Sequence, residues 1–131
     1  VVVGVDSLEA EGDWRVHQYT GDPAKSRAAG RRTLDWIAEA QERGAGEIVL
    51  NCMNQDGVRR GYDLKQLKRA RERLTIPLVA SGGAGASRDF VDVFLEADVS
   101  GALAASVFHK DLVFLPVLKQ ELREAGVEVR L

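Results

Sequence analysis

The chain has 131 residues, of which 45% are hydrophobic and 29% are charged, and its formal net charge is −2 at pH 7. This length and composition predict one globular domain over residues 1–131 and exclude a disordered or membrane-spanning chain. Lys and Arg are interspersed with acids, so the basic surface typical of nucleic-acid binding is excluded as well. We therefore expect neither nucleic acid nor a membrane as a partner.

The single cysteine, Cys52, rules out a disulfide framework. It lies in an apolar run, which favours a buried, unreactive thiol over a nucleophile. Val1–Val3 lack the basic region of a signal peptide, and the acidic Asp6 follows closely. These features predict a cytoplasmic location. The chain begins with Val rather than Met, which suggests that it begins inside a larger protein or was cut to begin there.

Short apolar segments alternate with amphipathic segments four times along the chain. The predicted strands are Val1–Asp6, Glu47–Met53, Pro77–Ser81 and Gly101–Val107. The predicted helices are Arg32–Arg43, Leu64–Leu74, a segment that begins at Ser87, and Leu115–Ala125. Strands this apolar are expected to be buried on both faces of a parallel sheet. The pattern predicts an α/β fold, a (βα)4 unit with right-handed crossovers.

One connection is unusually long. Residues 7–30 separate the first strand from the first helix, and Trp14–Tyr19 within them alternate like a small hairpin. A connection of this length in a compact domain is usually a functional lid or a binding loop. Because it follows the strand that ends in Asp6, we expect it to border a binding site.

Two stretches rich in glycine and alanine, Ser81–Gly85 and Gly101–Ser106, belong to successive βα units. Glycine lets the backbone approach an anion closely, and the N–H groups at a helix start attract one. With a short helix predicted at Ser106–Lys110, they match the way (β/α)8 barrels hold a phosphate. For either stretch alone, the alternative of a simple tight turn stays open. Two stretches together favour a phosphate site.

Polar residues follow several strands, and the carboxyl ends of parallel strands share one rim where ligands bind. The residues expected on that rim are Asp6, Asn54, Asp56, Gly83 and Ser106. If Asp6 points inward, its carboxylate stands at the mouth of an apolar interior and suits general acid–base catalysis. The commoner role of an Asp after a strand is to cap its own loop. Asn54–Gly57 likewise forms either a turn or a polar cluster for a substrate.

The two histidines, His17 and His109, have no partners at metal-ligand spacing. The sequence contains neither a Walker-type phosphate loop nor a Ser/His/Asp set. We therefore expect no metal and no cofactor.

Six runs carry a resemblance to a known family: Val2–Asp6, Gln18–Gly21, Arg43–Asn51, Asn54–Asp63, Ala80–Gly85 and Ala102–His109. In this order they resemble the C-terminal half of the cyclase subunit of imidazole glycerol phosphate synthase, an enzyme of histidine biosynthesis. The resemblance covers essentially the whole chain. It is closer to this cyclase than to the sister isomerase, which shares the barrel and the phosphate loops. It implies that the chain is a (βα)4 half of a TIM (β/α)8 barrel.

The resemblance also implies an activity. With ammonia from a glutaminase partner, the cyclase converts a phosphoribulosyl formimino carboxamide ribonucleotide to imidazole glycerol phosphate and an aminoimidazole carboxamide ribotide. Asp6 matches the catalytic aspartate of the fifth barrel strand, and Glu47 matches a charged gate at the opposite face, where ammonia enters. The residues implied to bind substrate or phosphate are Asn54, Asp56, Gly57, Gly82, Gly83, Ala105 and Ser106. Asn54 stands where the family often has an aspartate, so a carboxylate role at 54 is not expected.

The first four βα units of such a barrel are not part of this sequence. They carry the family's second catalytic aspartate, a lysine and the second phosphate cradle, and such groups act as a unit. We therefore expect this half alone to bind phosphate with little or no cyclase activity. Open edges on the first and fourth strands predict that copies of the chain complete each other in a homo-oligomer. The alternative is a non-enzymatic half-barrel, a fragment or an engineered unit, that binds phosphorylated small molecules and self-assembles.

Overall fold

The protein is described by a computed structural model that covers residues 1–130. Its strands are β1 (Val2–Ala10), β2 (Asp13–Gln18), β3 (Arg27–Arg32), β4 (Glu47–Cys52), β5 (Leu78–Ser81) and β6 (Gly101–Leu103). Its helices are α1 (Thr33–Glu42), α2 (Leu64–Arg73), α3 (Ser87–Ala97), α4 (Ser106–His109) and α5 (Leu115–Glu124). The strands form a six-stranded sheet in the order β3-β2-β1-β4-β5-β6. None of the helices described is long and apolar enough to cross a membrane.

The parallel part of the sheet confirms the predicted (βα)4 unit. Neighbouring strands among β1, β4, β5 and β6 pair in parallel, and a helix follows each of them in sequence. The predicted end of the fourth strand at Val107 is wrong. The strand ends at Leu103, because the chain turns there and Ser106 already begins α4.

The hairpin is larger than the one predicted inside Trp14–Tyr19. β1 continues to Ala10 and pairs antiparallel with β2, and β3 adds to the outer edge of β2. The turn between β1 and β2 consists of Glu11 and Gly12, both with positive φ, as two-residue hairpins with a type I′ turn require. The long connection is therefore mostly sheet rather than irregular loop.

The hairpin also corrects the expected open edge of the first strand. The pairing with β2 begins at Asp6, so β2 covers the second half of that edge. Within residues 1–130, a free edge remains along Val2–Val5 of β1 and along β6. A single chain thus protects part of the edge that was expected to require a second copy.

Helices cover one face of the parallel strands. In β4, the side chains of Ile48, Leu50 and Cys52 are fully buried, while the alternate residues are only partly buried. The expectation that the strands are buried on both faces is therefore wrong. The other face is partly open, and Leu103 at its margin is 49% exposed.

A buried polar cluster joins β1 to the helices behind it. The Ser7 hydroxyl donates to Gln66 Oε1 at 2.6 Å, and the Thr33 hydroxyl lies 2.6 Å from Ser7 Oγ, where it acts as the donor. Gln66 in turn donates through Nε2 to Asp63, which caps the start of α2. All of these polar groups have partners, so their burial is compensated. The cluster anchors the residue that follows Asp6.

Candidate active site

Four residues form a row across the open face at the carboxyl ends of the strands. Strand register aligns Asp6 with Asn51, Asn51 with Ser81, and Ser81 with Leu103. Side chains alternate between the two faces of a strand, and the chain neighbours of Asp6, Asn51 and Ser81 are buried on the helix side. Asp6 therefore lies on the open face, in the orientation needed for an inward-pointing carboxylate.

The Asp6 carboxylate is held by two side chains. Asn51 Nδ2 donates to Oδ1 at 3.0 Å, and the Thr20 hydroxyl donates to Oδ2. Thr20 follows β2, so the hairpin folds back to reach the carboxylate. Both oxygens are thus oriented by residues that belong to other segments of the chain.

A pocket of about 420 Å³ lies beside this row, between the loops that follow β4, β5 and β6. Its lining residues are Asp56, Gly57, Ser81, Gly82, Gly83, Ala84, Leu103, Ala104, Ala105 and Ser106. All the predicted glycine and alanine residues of the phosphate site are among them. The volume is large enough for a phosphate and part of the group that carries it.

The charge of the pocket lining is unusual for an anion site. Among the described residues that line the pocket, Asp56 is the only charged one, and none is Lys, Arg or His. The donors that remain are backbone N–H groups and the hydroxyls of Ser81 and Ser106. Ser106 begins α4, whose first helical bonds are donated by Phe108 and His109 to Ala105. The N–H groups before Phe108 are therefore available to a ligand.

Direct contact between backbones fixes the two loops that follow β4 and β5. Gly61 N donates to the Gly83 carbonyl at 2.8 Å. A Cβ on Gly83 would lie 2.1 Å from the Gly61 carbonyl oxygen, and one on Gly85 would lie 2.1 Å from that of Arg59. Only glycine fits at such distances. These glycines therefore serve loop packing as well as the pocket.

Asn54 lies outside the pocket. Its Oδ1 accepts a hydrogen bond from the backbone N–H of Glu9 at 2.7 Å. Its Nδ2 donates a longer hydrogen bond to the Glu9 carbonyl at 3.5 Å. It therefore ties the hairpin to the loop after β4. Asp56 and Gly57, two and three residues later, do line the pocket.

Glu47 lies at the opposite end of the sheet. It begins β4 and is aligned with Val2 at the start of β1. It lies four positions before Asn51 in the same strand, which is roughly 13 Å at about 3.3 Å per residue. Its side chain shares the open face with Asn51, because the two are an even number of residues apart.

Two buried groups have raised pKa values. Burial raises the pKa of the Cys52 thiol far above its usual range, and the Asp63 carboxylate adds to the effect. The thiol therefore stays protonated and unreactive, in agreement with the sequence-based interpretation. Burial likewise raises the pKa of Tyr62, with a further contribution from Asp89. No group of three or more metal-ligating side chains occurs within residues 1–130.

Sequence reasoning did not assign Thr20, Asn51 or Tyr62 to the site. Asn51 left a signal, because it is a polar residue inside an otherwise apolar strand and shares the parity of Glu47. Thr20 lies in the connection expected to border a binding site, but its contact with Asp6 depends on how the hairpin folds back. Tyr62 follows the turn after β4 and bonds to a residue 41 positions away.

The comparisons with known proteins agree with this architecture. The sequence model of the family described as "Histidine biosynthesis protein" matches residues 1–113. The imidazole glycerol phosphate synthase subunit HisF of Xanthomonas oryzae pv. oryzae is 62% identical over 131 aligned positions, covering 99% of this chain and 51% of the relative. The same subunit of Stenotrophomonas maltophilia is 61% identical and that of Xylella fastidiosa 63% identical, with the same coverage.

The chain spans about half the length of the curated relatives it matches. Its parallel sheet and alternating helices are those of a (βα)4 half of a TIM barrel. By the match over residues 1–113, the chain belongs to the histidine biosynthesis protein family.

Proposed function

We propose that these residues act as the C-terminal half of the cyclase subunit of imidazole glycerol phosphate synthase. The reaction uses glutaminase-derived ammonia to convert a phosphoribulosyl formimino carboxamide ribonucleotide to imidazole glycerol phosphate and an aminoimidazole carboxamide ribotide. One observation carries the proposal: an oriented carboxylate and a phosphate-sized pocket share one rim, in a chain 62% identical to a HisF subunit.

Phosphate is the ligand that the pocket suits best. Backbone N–H groups of Gly57, Gly82, Gly83, Ala105 and Ser106, together with the Ser106 hydroxyl, bind one terminal phosphate of the substrate. Backbone donors hold an anion without a basic side chain, as they do at other glycine-rich loops. The Asp56 carboxylate repels a phosphate, so its role is to accept a hydrogen bond from a hydroxyl or N–H of the substrate. Asn54 supports the site indirectly, by holding the hairpin to the loop that carries Asp56.

Asp6 is the catalytic residue of this half. Its carboxylate transfers protons during ring closure and cleavage, a role that requires a fixed orientation toward the substrate. Asn51 and Thr20 supply that orientation. The role is consistent with its position on the open face, next to the pocket rather than inside it.

Glu47 belongs to a charged gate at the far end of the barrel. A glutaminase subunit docks at that end and delivers ammonia, which then travels through the barrel to Asp6. The position of Glu47 on the same open face, four residues before Asn51, supports this path.

The half-barrel is completed by another four βα units. Free edges at Val2–Val5 and at β6 provide the pairing surfaces, and the exposed Leu103 provides apolar surface on the open face. An N-terminal half or a second copy of the chain fits both edges. In a homo-oligomer each chain keeps its phosphate pocket but lacks the second set of catalytic groups, so phosphate binding persists with little or no turnover.

The test is to mix the chain with a polypeptide that contains the first half of the Xylella fastidiosa relative. Restored cyclase turnover supports the proposed function. If phosphate binds but no turnover appears in the mixture, the second candidate is favoured, a non-enzymatic module for phosphorylated small molecules. Light scattering on the chain alone tests self-association, and a mass equal to one chain would overturn the homo-oligomer.

A further inference from the structure

Tyr62 joins the wall of the pocket from behind. The residue is buried, and its hydroxyl donates to the carbonyl of Leu103 at 2.7 Å. Leu103 is the last residue of β6, and Ala104, Ala105 and Ser106 follow it along the pocket lining. The hydrogen bond therefore restrains the start of the segment 104–106.

The ring of Tyr62 is connected to the other end of that segment through Phe90. It meets Phe90 edge to face, with ring centroids 5.7 Å apart and an interplanar angle of 78°. Phe90 in turn contacts the ring of Phe108 at 5.8 Å. Phe108 lies in α4, two residues after Ser106. Hydroxyl and ring together thus hold both ends of segment 104–106.

Tyr62 also belongs to the loop that supplies Asp56 and Gly57. Its neighbour Gly61 bonds to Gly83 in the loop after β5. The pair Gly61–Tyr62 therefore connects all three loops around the pocket, Gly61 to the loop after β5 and Tyr62 to the segment after β6, although neither residue lines the pocket.

The hydroxyl is a permanent donor. Burial and the Asp89 carboxylate raise the pKa of Tyr62 well above its usual range, so the proton is retained at physiological pH. Without this donor, the Leu103 carbonyl would lose its side-chain partner while the ring stayed packed.

We infer that Tyr62 is a positioning residue for phosphate binding, whose hydroxyl holds segment 104–106 in the conformation that accepts the ligand. The inference rests on the proposed phosphate site. It adds to that site a residue that acts through the Leu103 carbonyl and touches no ligand.

The test uses Tyr62→Phe, which keeps the ring and removes only the hydroxyl. Binding of inorganic phosphate is measured by calorimetry, and hydrogen exchange of the Ala105 and Ser106 amides is measured by NMR without ligand. We expect the dissociation constant for phosphate to rise roughly 5- to 10-fold and exchange at both amides to become faster, as for one lost hydrogen bond. Phe108→Leu, which keeps the hydroxyl, is a second variant and is expected to weaken phosphate binding less.

Two controls separate positioning from general destabilisation. Ile37→Val shortens a fully buried side chain in α1, a helix that does not border the pocket, and is expected to lower stability with phosphate affinity unchanged. Tyr19→Phe removes the hydroxyl of an exposed tyrosine and is expected to change neither the stability nor the phosphate affinity.

Unchanged phosphate affinity and unchanged exchange in Tyr62→Phe would overturn the inference. So would an equal loss of affinity in Ile37→Val, because the effect would then be structural only. If the unmodified chain binds no phosphate, the proposed phosphate site fails instead. In that case the exchange rates at Ala105 and Ser106 alone decide whether the hydroxyl holds the segment.

Discussion

The two halves of the candidate site are built in different ways. The pocket beside β5 and β6 is lined mainly by backbone and small side chains, with glycine loops packed directly against each other. The Asp6 end is built from side chains, since Asn51, Thr20 and the buried cluster around Ser7 come from five different segments. The backbone-built pocket depends on which positions are glycine and so lack a Cβ. The side-chain-built end depends on which distant segments the fold brings into contact.

This difference predicts opposite sensitivities. Adding a single methyl group at Gly82 or Gly83 should damage the backbone-built pocket, because a Cβ there would lie within 2.8 Å of a backbone oxygen. At Asp6 itself, the shape of the fold should survive a change of functional group, but the chemistry should not. The variants at Asp6, Gly83 and Gln66 test the two sides of that comparison, and the variant at Asp13 tests an ion pair in the hairpin, outside both.

The largest effect is expected for Asp6→Asn. The amide keeps the size of the side chain and loses the ability to transfer a proton, so turnover should fall by roughly 100- to 10,000-fold. Turnover is measured in the mixture with the first half of the Xylella fastidiosa relative. Phosphate affinity serves as the control and should be unchanged. A variant with full turnover would remove Asp6 from the mechanism.

Gly83→Ala should have the second-largest effect. The new Cβ would lie 2.1 Å from the Gly61 carbonyl oxygen, and φ at this position is +119°. We expect a loss of more than about 2 kcal/mol in the free energy of unfolding, together with weaker phosphate binding. Urea unfolding measures the free energy of unfolding, and calorimetry measures phosphate binding.

Gly12→Ala is the matched control for Gly83→Ala. Gly12 also has a positive φ, but no atom outside its immediate chain neighbours lies within 4 Å of the position that a Cβ would take there. Only the conformational cost of about 1 kcal/mol is expected, and phosphate affinity should not change. Equal losses of stability in both variants would show that loop contact adds nothing at Gly83.

Gln66→Leu should have an intermediate effect. It leaves the Ser7 hydroxyl without its acceptor and Asp63 without one donor, inside the protein. The free energy of unfolding is expected to fall by roughly 1–3 kcal/mol. Gln120→Leu, on the exposed surface of α5, is the control and should change it by less than about 0.5 kcal/mol. Similar losses of unfolding free energy in both variants would mean that the buried cluster around Ser7 does not stabilise the fold.

Asp13→Asn should have the smallest effect. Asp13 accepts from Arg32 Nε at 2.7 Å, and this hydrogen bond lowers the pKa of the carboxyl. A lowered pKa in the folded state stabilises the protein above the ordinary carboxyl pKa of about 3.9, and this contribution is lost as pH falls through the folded value. The difference in melting temperature between wild type and variant should therefore be small at pH 7 and vanish in acid. A difference in melting temperature that grows as the pH is lowered would contradict a stabilising role for the Asp13–Arg32 hydrogen bond.

Much of the pocket could be predicted from residue types alone. Glycine in Ser81–Gly85 and small residues in Gly101–Ser106 mark places where the backbone can be approached closely, and residues 81–84 and 103–106 of these stretches line the pocket. That they bind phosphate stays a prediction. The hairpin was predicted too small, because the alternation of Trp14 and Val16 shows a strand but not that β1 continues to pair with it.

The alternation of the four parallel strands with their helices and the positions of the glycine loops follow from periodicity and residue type, and the sequence by itself determined them. Contacts between distant segments decided the rest. Asn51 reaches Asp6 across 45 positions, and Tyr62 reaches Leu103 across 41. Local patterns specify the conformation of a segment because backbone sterics and burial act residue by residue. The choice of partner depends on register and on how segments pack, and only the tertiary structure determines those.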